Sequence, residues 1–161
     1  MPTEIEQVSY TARKALNTNW LSANTSNLTP QITKRPRSGR IGDLILPLVT
    51  VGLDEEDPLY ETITSTGPGA VWDGTITIET WVNPDRTLDS GGAPIGDALS
   101  SKLARDMMEE AHRILRAQQL SHTDLIVLRP TSRRYAPDTT EKPTLDRWIL
   151  IAAYSWAESP A

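Results

Sequence analysis

Several residues and patterns on which specific chemistries depend are missing from this sequence. It has no cysteine, which excludes disulfides, cysteine-ligated zinc, iron–sulfur clusters and thiol nucleophiles. It has two histidines, His112 and His122, which are too few for most sites built on imidazole, and we interpret both as structural. No apolar run approaches the ~18 residues that a membrane-spanning helix needs. The acidic start, Met1 to Glu6, lacks an apolar stretch, so we expect no secretory signal peptide.

The charge balance argues against one further class of protein. Sixteen Lys and Arg residues and twenty-one Asp and Glu residues give the 161-residue chain a formal net charge of −5. A protein that coats nucleic acid needs a basic face, so this balance disfavours that role, although it is compatible with a local basic patch. The length is that of one ordinary domain, which buries about two-thirds of its unfolded surface.

Hydrophobic periodicity predicts a single α+β domain over residues 1–161. Apolar residues recur every three or four positions in two segments, which predicts an N-terminal helix at 5–20 and a long helix at 95–119. Alternating or β-branched runs predict strands at 28–33, 44–51, 59–66, 71–82, 124–128 and 145–156. Long polar loops are expected near 34–43, 83–94 and 131–144. This order favours a mostly antiparallel sheet with the helices packed on one face.

The long helix has the clearest amphipathic pattern. Leu103 belongs to an apolar stripe that predicts core packing, together with Leu99, Met107, Ala111, Ile114 and Leu115. Charged residues lie opposite the stripe, and Glu109 followed by Arg113 has the order that favours an i,i+4 ion pair. Asp97 is in a suitable position to cap the N-terminus of the helix.

The two longest predicted strands alternate between two faces. In the strand at 71–82, one face is predicted to carry Ile76, Ile78, Thr80 and Val82, and the other Thr75, Thr77, Glu79 and Trp81. In the last strand, the first face carries Trp148, Leu150, Ala152, Tyr154 and Trp156, and the second carries Ile149, Ile151 and Ala153.

Motifs for catalysis are absent from the sequence. It has no Gly-x-Ser-x-Gly elbow, and its glycine clusters lack the lysine of a phosphate loop. The acidic run Asp54–Asp57 fits either a solvated turn or a site for a hard cation, and a solvated turn is the simpler interpretation. A metal nuclease would have to bring together the scattered carboxylates of Asp73, Glu79 and Asp124. The residues predict no catalytic, cofactor-binding or metal-binding site.

Two clusters of cations are the more informative feature. Residues 34–40 contain four cations in an otherwise acidic chain, and a second cluster is predicted in the loop at 131–144. Either cluster is a solvated loop or a contact surface, since arginine suits bidentate contacts with carboxylates and with phosphates. The candidate interface or DNA-channel residues are Arg35, Arg37, Arg40, Arg133 and Arg134. Five Trp and four Tyr residues also favour a protein that works through contacts.

The order of elements resembles the tail terminator proteins of long-tailed viruses and the related tail-completion, or tail-to-head joining, proteins. The resemblance is carried by the N-terminal helix, the run Trp72–Trp81, the long helix at 95–119 and the closing run Asp146–Tyr154. It implies a ring, usually of six copies, that ends the tail tube and offers the surface on which the head docks.

The resemblance also implies the partners and the location. The partners would be further copies of the chain, the major tail tube protein and a head-closure or connector protein, with viral DNA passing through the ring without sequence-specific binding. The location would be the neck of the virion, and the host cytoplasm during assembly, with no membrane contact. It implies no catalytic residue and no cofactor.

Three alternatives remain at this stage. The first is a head-closure or other connector ring protein. The second is a small metal-dependent nuclease that uses the scattered carboxylates. The third is an accessory domain that binds cellular proteins.

Overall fold

A six-stranded sheet with two α-helices forms the described part of the chain. The structure, a computed structural model, describes residues 4–34, 47–52, 62–63, 71–89, 91–117, 125–140 and 144–157. The elements in chain order are α1 (Glu4–Asn19), a 3₁₀ turn (Ser22–Thr25), β1 (Gln31–Lys34), β2 (Leu48–Gly52), β3 (Thr62–Ile63), β4 (Val71–Val82), α2 (Gly96–Ala117), β5 (Leu125–Tyr135) and β6 (Asp146–Ala157). The predicted α+β class, with an N-terminal helix and one long helix, is confirmed.

The sheet has the order β1-β2-β4-β6-β5, and the short β3 also pairs with β4. Strands β1 and β2 are parallel, and the other pairs are antiparallel. Strands β4 and β6 form the centre, where twelve residues of each strand are paired from Val71↔Ala157 to Val82↔Asp146. Strand β5 forms one edge of the described sheet and β1 forms the other.

Both helices pack on one face of the sheet, as the sequence predicts. The core cluster joins Leu16 of α1, Met107 of α2 and Ile78 of β4 with their buried neighbours. Thr80 belongs to the same face, because its hydroxyl donates to the Ala104 carbonyl of α2 at 2.9 Å. A smaller cluster, Leu48, Trp81 and Leu145, lies on the other face. The predicted alternation of β4 is therefore confirmed by the side chains from Ile76 to Val82.

The apolar stripe of α2 is confirmed except at its first member. Leu103, Met107, Ala111, Ile114 and Leu115 are buried, but Leu99 is 54% exposed. The buried arc of the helix also includes Ala104 and Met108. This arc is rotated away from Leu99, which lies at its margin in the first turn of the helix.

The predicted ion pair on α2 is also wrong. Arg113 pairs with Glu110, not with Glu109, and its Nη2 donates to the carbonyl of Asn19 at 3.0 Å. Asn19 ends α1, so the guanidinium lies at the carbonyl end of a helix, where a cation is favoured. Glu110 is 2% exposed and accepts from Asn24 at 2.7 Å, which fixes it on the α1 side.

The start of α2 differs from the prediction by one position. The helix begins at Gly96, so Asp97 lies inside the first turn and not at the N-cap. A carboxylate in the first turn is still favoured by the helix dipole. Gly96 has φ +78, in the left-handed region that favours glycine, and its amide donates to the Pro84 carbonyl at 3.1 Å.

Strand β5 is much longer than the sequence predicts. The prediction ends this strand at residue 128 and begins a loop at 131, whereas the strand continues to Tyr135. Pro130 and the polar residues after it are read as loop-forming, but an edge strand tolerates both. A bulge lies between Pro130 and Ser132, after which pairing with β6 resumes. The first five residues of the predicted loop, 131–135, therefore belong to the strand, and Arg133 and Arg134 lie on it.

Candidate functional site

The predicted contact residues fall into two groups. Arg35, Arg37 and Arg40 lie at 35–46, outside the described residues. Arg133 and Arg134 are exposed on β5 at the edge of the sheet. Only the second group can therefore be placed relative to the rest of the fold.

Arg133 and Arg134 point to opposite faces of the sheet. Arg133 pairs with the core residue Leu150, so it lies on the helix face, where its Nη1 is 3.5 Å from Glu109 Oε1. Arg134 pairs with Ile149 and lies on the other face, together with Arg129, which pairs with Ala153. The two candidate residues thus cannot form one cluster within one chain.

The helix-face arginine borders a groove between α2 and β5. Its volume is about 420 Å³, and its lining residues are Ser101, Lys102, Arg105, Tyr135 and Trp148. We call it the α2–β5 groove. Ser101 and Arg105 are four residues apart and so lie on the same flank of α2, facing the end of β5. Two aromatic rings and two cations therefore line one depression of the surface.

The aromatic side of the groove is rigidly positioned. The Tyr135 and Trp148 rings have centroids 5.7 Å apart and are tilted by 51°. Asp146 lies beneath them, nearly buried, and accepts hydrogen bonds from the Tyr135 hydroxyl and from Ser100 Oγ, both at 2.6 Å. Burial, the hydrogen bond to Asp146 and the charge of Asp146 raise the pKa of Tyr135 above its ordinary value of 10.0. The phenol is therefore neutral at physiological pH.

The cationic side of the groove has unmatched positive charge. Lys102 Nζ pairs with Asp106 at 2.5 Å, one turn along the helix. Arg105 is exposed and forms no ion pair with any residue that the structure describes. An unpaired guanidinium beside aromatic rings suits a carboxylate or another planar anion.

Positive charge continues along the same side of α2. His112 is half-buried near Arg133 and Arg116. Burial and then these two guanidinium groups hold the pKa of His112 below its ordinary value of 6.5, against the opposing charge of Glu109. The imidazole is neutral at pH 7, so the arginines and not His112 provide the charge here.

Of the three carboxylates considered for a nuclease, Glu79 is the one whose side chain lies among the described residues. Glu79 is 3% exposed, and its Oε2 lies 3.8 Å from Arg147 Nη1. That guanidinium also lies over the Trp81 ring at 4.9 Å, and its Nε donates to the Ala136 carbonyl at 2.6 Å. Glu79 thus faces a cation on the sheet face opposite the helices. The side chain of Asp73, all of Asp124 and the acidic run at 54–57 lie outside the description.

Two kinds of feature are absent from the described residues. Among them there is no group of three or more His, Asp or Glu side chains placed to hold a metal ion. None of the described helices is both long and apolar enough to cross a membrane. The α2–β5 groove offers hydroxyls, cations and aromatic rings, a set suited to binding a partner.

The groove was missed from the sequence for a physical reason. The sequence pattern places Lys102 and Arg105 among the charged residues opposite the apolar stripe of α2, and Tyr135 in the predicted loop at 131–144. The i,i+4 spacing of Ser101 and Arg105 shows that they share a flank. It does not show which strand that flank faces, because that depends on the packing of the whole sheet.

Comparison with known proteins shows a similarity in fold over nearly the whole chain. A chain of the virion of a native gene transfer agent particle matches with a TM-score of 0.58 and 13% sequence identity. The match covers 98% of this chain and 100% of that chain. The two chains share a fold. No protein-family model and no curated protein matches the sequence.

Proposed function

We propose that this protein is a structural component of a phage-like particle, and specifically a tail terminator. It forms a ring on the end of the tail tube, stops further growth of the tube and offers the surface on which the head docks. The observation that carries the proposal is the end-to-end similarity in fold to a chain of a gene transfer agent virion. The order of helices and strands, which resembles that of tail terminators, supports the narrower role.

The character of the surface supports a role in assembly and not in catalysis. The α2–β5 groove has aromatic and cationic walls, as protein interfaces often do. Asp146, which accepts from the groove residue Tyr135, is engaged by two hydroxyls. Glu79 lies beside Arg147, so it is in a poor position to share a metal ion.

The proposed partners follow from the proposed role. Six copies of the chain form the ring, which contacts the tail tube protein on one side and a head-closure or connector protein on the other. DNA passes through the centre without sequence-specific contacts, and the protein needs no cofactor. Its place is the neck of the particle, after assembly in the host cytoplasm. A closed ring needs a heterologous interface, in which two different surfaces of the subunit meet.

The experiment is to remove the protein from an otherwise complete particle. Without it, we expect tubes of unregulated length that do not join to heads, and normal particles when the gene is restored. A cryo-EM map of the restored particle should show six copies at the top of the tube. Tails of normal length joined to heads in its absence would contradict the proposal.

The same experiment separates the alternatives. A head-closure protein gives tails of normal length and heads that lose their DNA. A nuclease gives Mg²⁺-dependent cleavage of plasmid DNA by the purified protein, which Asp73→Asn or Asp124→Asn abolishes. A map with a ring of other than six copies would contradict the copy number alone.

A further inference from the structure

We propose that the β5 edge of one copy of the chain contacts the loop between β4 and α2 of the next copy. The inference rests on the proposed function, because it names the two surfaces that meet where neighbouring copies touch in the proposed ring. We call the first surface the cationic margin, which consists of Arg129, Arg133 and Arg134 of β5 and Arg105 of the facing flank of α2. We call the second the acidic loop, which consists of residues 84–89 and 91–94.

The cationic margin carries positive charge that the chain itself does not neutralise. Arg105, Arg129 and Arg134 are exposed, and none of them forms an ion pair with a residue that the structure describes. Arg133 lies 3.5 Å from Glu109, a half-exposed carboxylate. Together with this glutamate the margin has a charge of +3, which leaves −8 for the rest of a chain whose formal net charge is −5. Positive charge is thus concentrated at one edge of a subunit that is acidic elsewhere.

The acidic loop has the complementary composition. Asp85 and Asp89 are exposed, whereas Arg86 between them already interacts within the chain. Leu88 of the same loop is 48% exposed, and Tyr135 at the end of the margin is 44% exposed. Each surface therefore combines charge of one sign with an exposed apolar or aromatic side chain. Opposite charges around apolar contacts are typical of specific protein interfaces.

The acidic loop has a fixed position at the start of α2. The amide of Ile95 donates to the Thr87 carbonyl at 3.0 Å, and the amide of Gly96 donates to the Pro84 carbonyl at 3.1 Å. The Asp89 carboxylate accepts hydrogen bonds from two further amides of the loop. The loop therefore presents its carboxylates from a position that its own hydrogen bonds determine.

In that position the loop does not pair with the margin of its own chain. Within the described structure, no ion pair joins Asp85 or Asp89 to an arginine of the margin. Arg134 is aligned, through Ile149 of β6, with Glu79, three residues before the end of β4. Three residues of strand and two strand spacings separate Arg134 from the root of the loop by about 14 Å. Both surfaces are thus open to a second molecule.

A second copy of the chain accounts for both surfaces at once. A closed ring needs a heterologous interface, in which two different and complementary surfaces of the subunit meet. The chain supplies both of them, whereas an unrelated acidic protein would account for the margin alone. Nucleic acid is disfavoured, because a net charge of −5 gives the chain no long-range attraction to phosphates.

Charge reversal tests the proposed pair of surfaces. In the margin variant Arg105→Glu/Arg134→Glu, we expect the fraction of tube ends that carry a ring to fall about tenfold or more, because like charges then meet at the contact. The loop variant Asp85→Arg/Asp89→Asn should show the same loss. A chain with all four changes should regain rings, since the attraction is restored in the opposite sense.

The variants are chosen so that the fold is retained. Asp89→Asn keeps the side-chain oxygen that accepts from the amides of Gly91 and Ala93, so the loop keeps its shape. Lys14→Glu/Lys34→Glu changes two exposed cations, on α1 and on β1, and is the matched control that should form rings normally. Thermal melts should show that every variant is folded.

The outcomes separate this inference from the proposed function. If the wild-type chain does not cap tubes, the proposed function fails, and no ring remains for this contact to close. If the wild type caps tubes and the margin variant forms as many rings, or the chain with all four changes is not restored, the inference alone is overturned. If the margin variant forms normal rings that do not join heads, the margin binds a protein of the head side, and the inference is again overturned.

Disulfide cross-linking gives a second and more direct measurement. The chain has no cysteine, so single cysteines can be introduced without background. Ser132→Cys chains, changed at an exposed position of β5, and Leu88→Cys chains are mixed, bound to tubes and oxidised. We expect a disulfide-linked dimer in the mixture, and none with either chain alone or when Lys14→Cys replaces Ser132→Cys. Capped tubes without this dimer would overturn the proposal, as would an internal disulfide in a chain that carries both cysteines.

Discussion

The buried face of α2 allows a quantitative test of the core. Leu103 is 2% exposed, and Leu99, four residues earlier on the same helix, is 54% exposed. Leu103→Ala removes buried methyl and methylene groups worth about 0.8 kcal/mol each, and it leaves a cavity that adds to the loss. We expect unfolding to become easier by about 3 kcal/mol, within a range of about 2–5 kcal/mol.

Leu99→Ala is the matched control for this measurement. It makes the same chemical change on the same helix, but at an exposed position, so the expected loss is within about 0.5 kcal/mol. For a chain of this size, 1 kcal/mol corresponds to about 2–4 °C in Tm, so Leu103→Ala should lower Tm by roughly 6–12 °C. The shift for Leu99→Ala should be close to zero.

Urea denaturation followed by tryptophan fluorescence measures both variants, since the chain has five tryptophans. The slope of the free energy of unfolding with urea should be unchanged, which shows that the same surface is exposed on unfolding. Equal losses for Leu99→Ala and Leu103→Ala would refute the rotation of α2 described above. A loss below about 1 kcal/mol at Leu103 would show that this part of the helix does not pack on the sheet.

Two further predictions concern the polar groups along β5. Asp146→Asn removes one of the two acceptor oxygens that Ser100 and Tyr135 use. Urea denaturation should therefore show that the free energy of unfolding falls by about 1–3 kcal/mol. An unchanged free energy of unfolding would contradict the buried role of this carboxylate. In an absorbance titration at 295 nm, the same variant should also lower the pKa of Tyr135 towards 10.0. Because the pKa of Tyr135 is raised in the folded protein, the stability that this group contributes is complete below pH 10.0. That contribution is lost as the pH rises through the folded-state pKa. For His112, NMR titration should give a pKa below 6.5, and this pKa should rise in Arg133→Ser. Because the pKa is lowered in the folded protein, the stability that His112 contributes is complete above pH 6.5 and is lost as the pH falls through the folded-state pKa. A pKa at or above 6.5 in the wild type would contradict the placement of His112.

Periodicity was sufficient to predict the central elements of the fold. In β4, the buried Ile76 and Ile78 alternate with the half-buried Thr75 and Thr77. A strand with one face on the core needs that pattern, whichever strands lie beside it. The same holds for α2, where burial of one helix face requires apolar residues every three or four positions. The signal is local, so sequence alone carries it.

The edge strand could not be predicted in the same way. Residues 131–135 of β5 are polar and exposed, and they follow a proline, so their local preferences resemble those of a loop. They form a strand because β6 supplies the hydrogen-bonding partners, as in Arg133↔Leu150 and Tyr135↔Trp148. Register with a distant partner is a property of the whole sheet and not of the segment.

The candidate site was predictable only in part for the same reason. The sequence identified Arg133 and Arg134 as contact residues, and this remains a prediction. It did not pair Arg105 with Tyr135, which lie on different elements thirty residues apart in the chain. The groove exists because the first turns of α2 cross the end of β5, and the sequence pattern of neither element specifies that crossing.

The central pairing of β4 with β6 has a consequence for the order of folding. Thr77 and its partner Ile151 are 74 positions apart, and α2 and β5 lie between them in the chain. The middle of the sheet therefore cannot close until residues 146–157 have left the ribosome, and closing so long a loop makes this a slow step. Until then, β4 is a twelve-residue strand without its principal neighbour, a form prone to mispairing and to chaperone binding. Arg133 and Tyr135 acquire their strand geometry only when β6 arrives, so the α2–β5 groove forms at the same moment as the core.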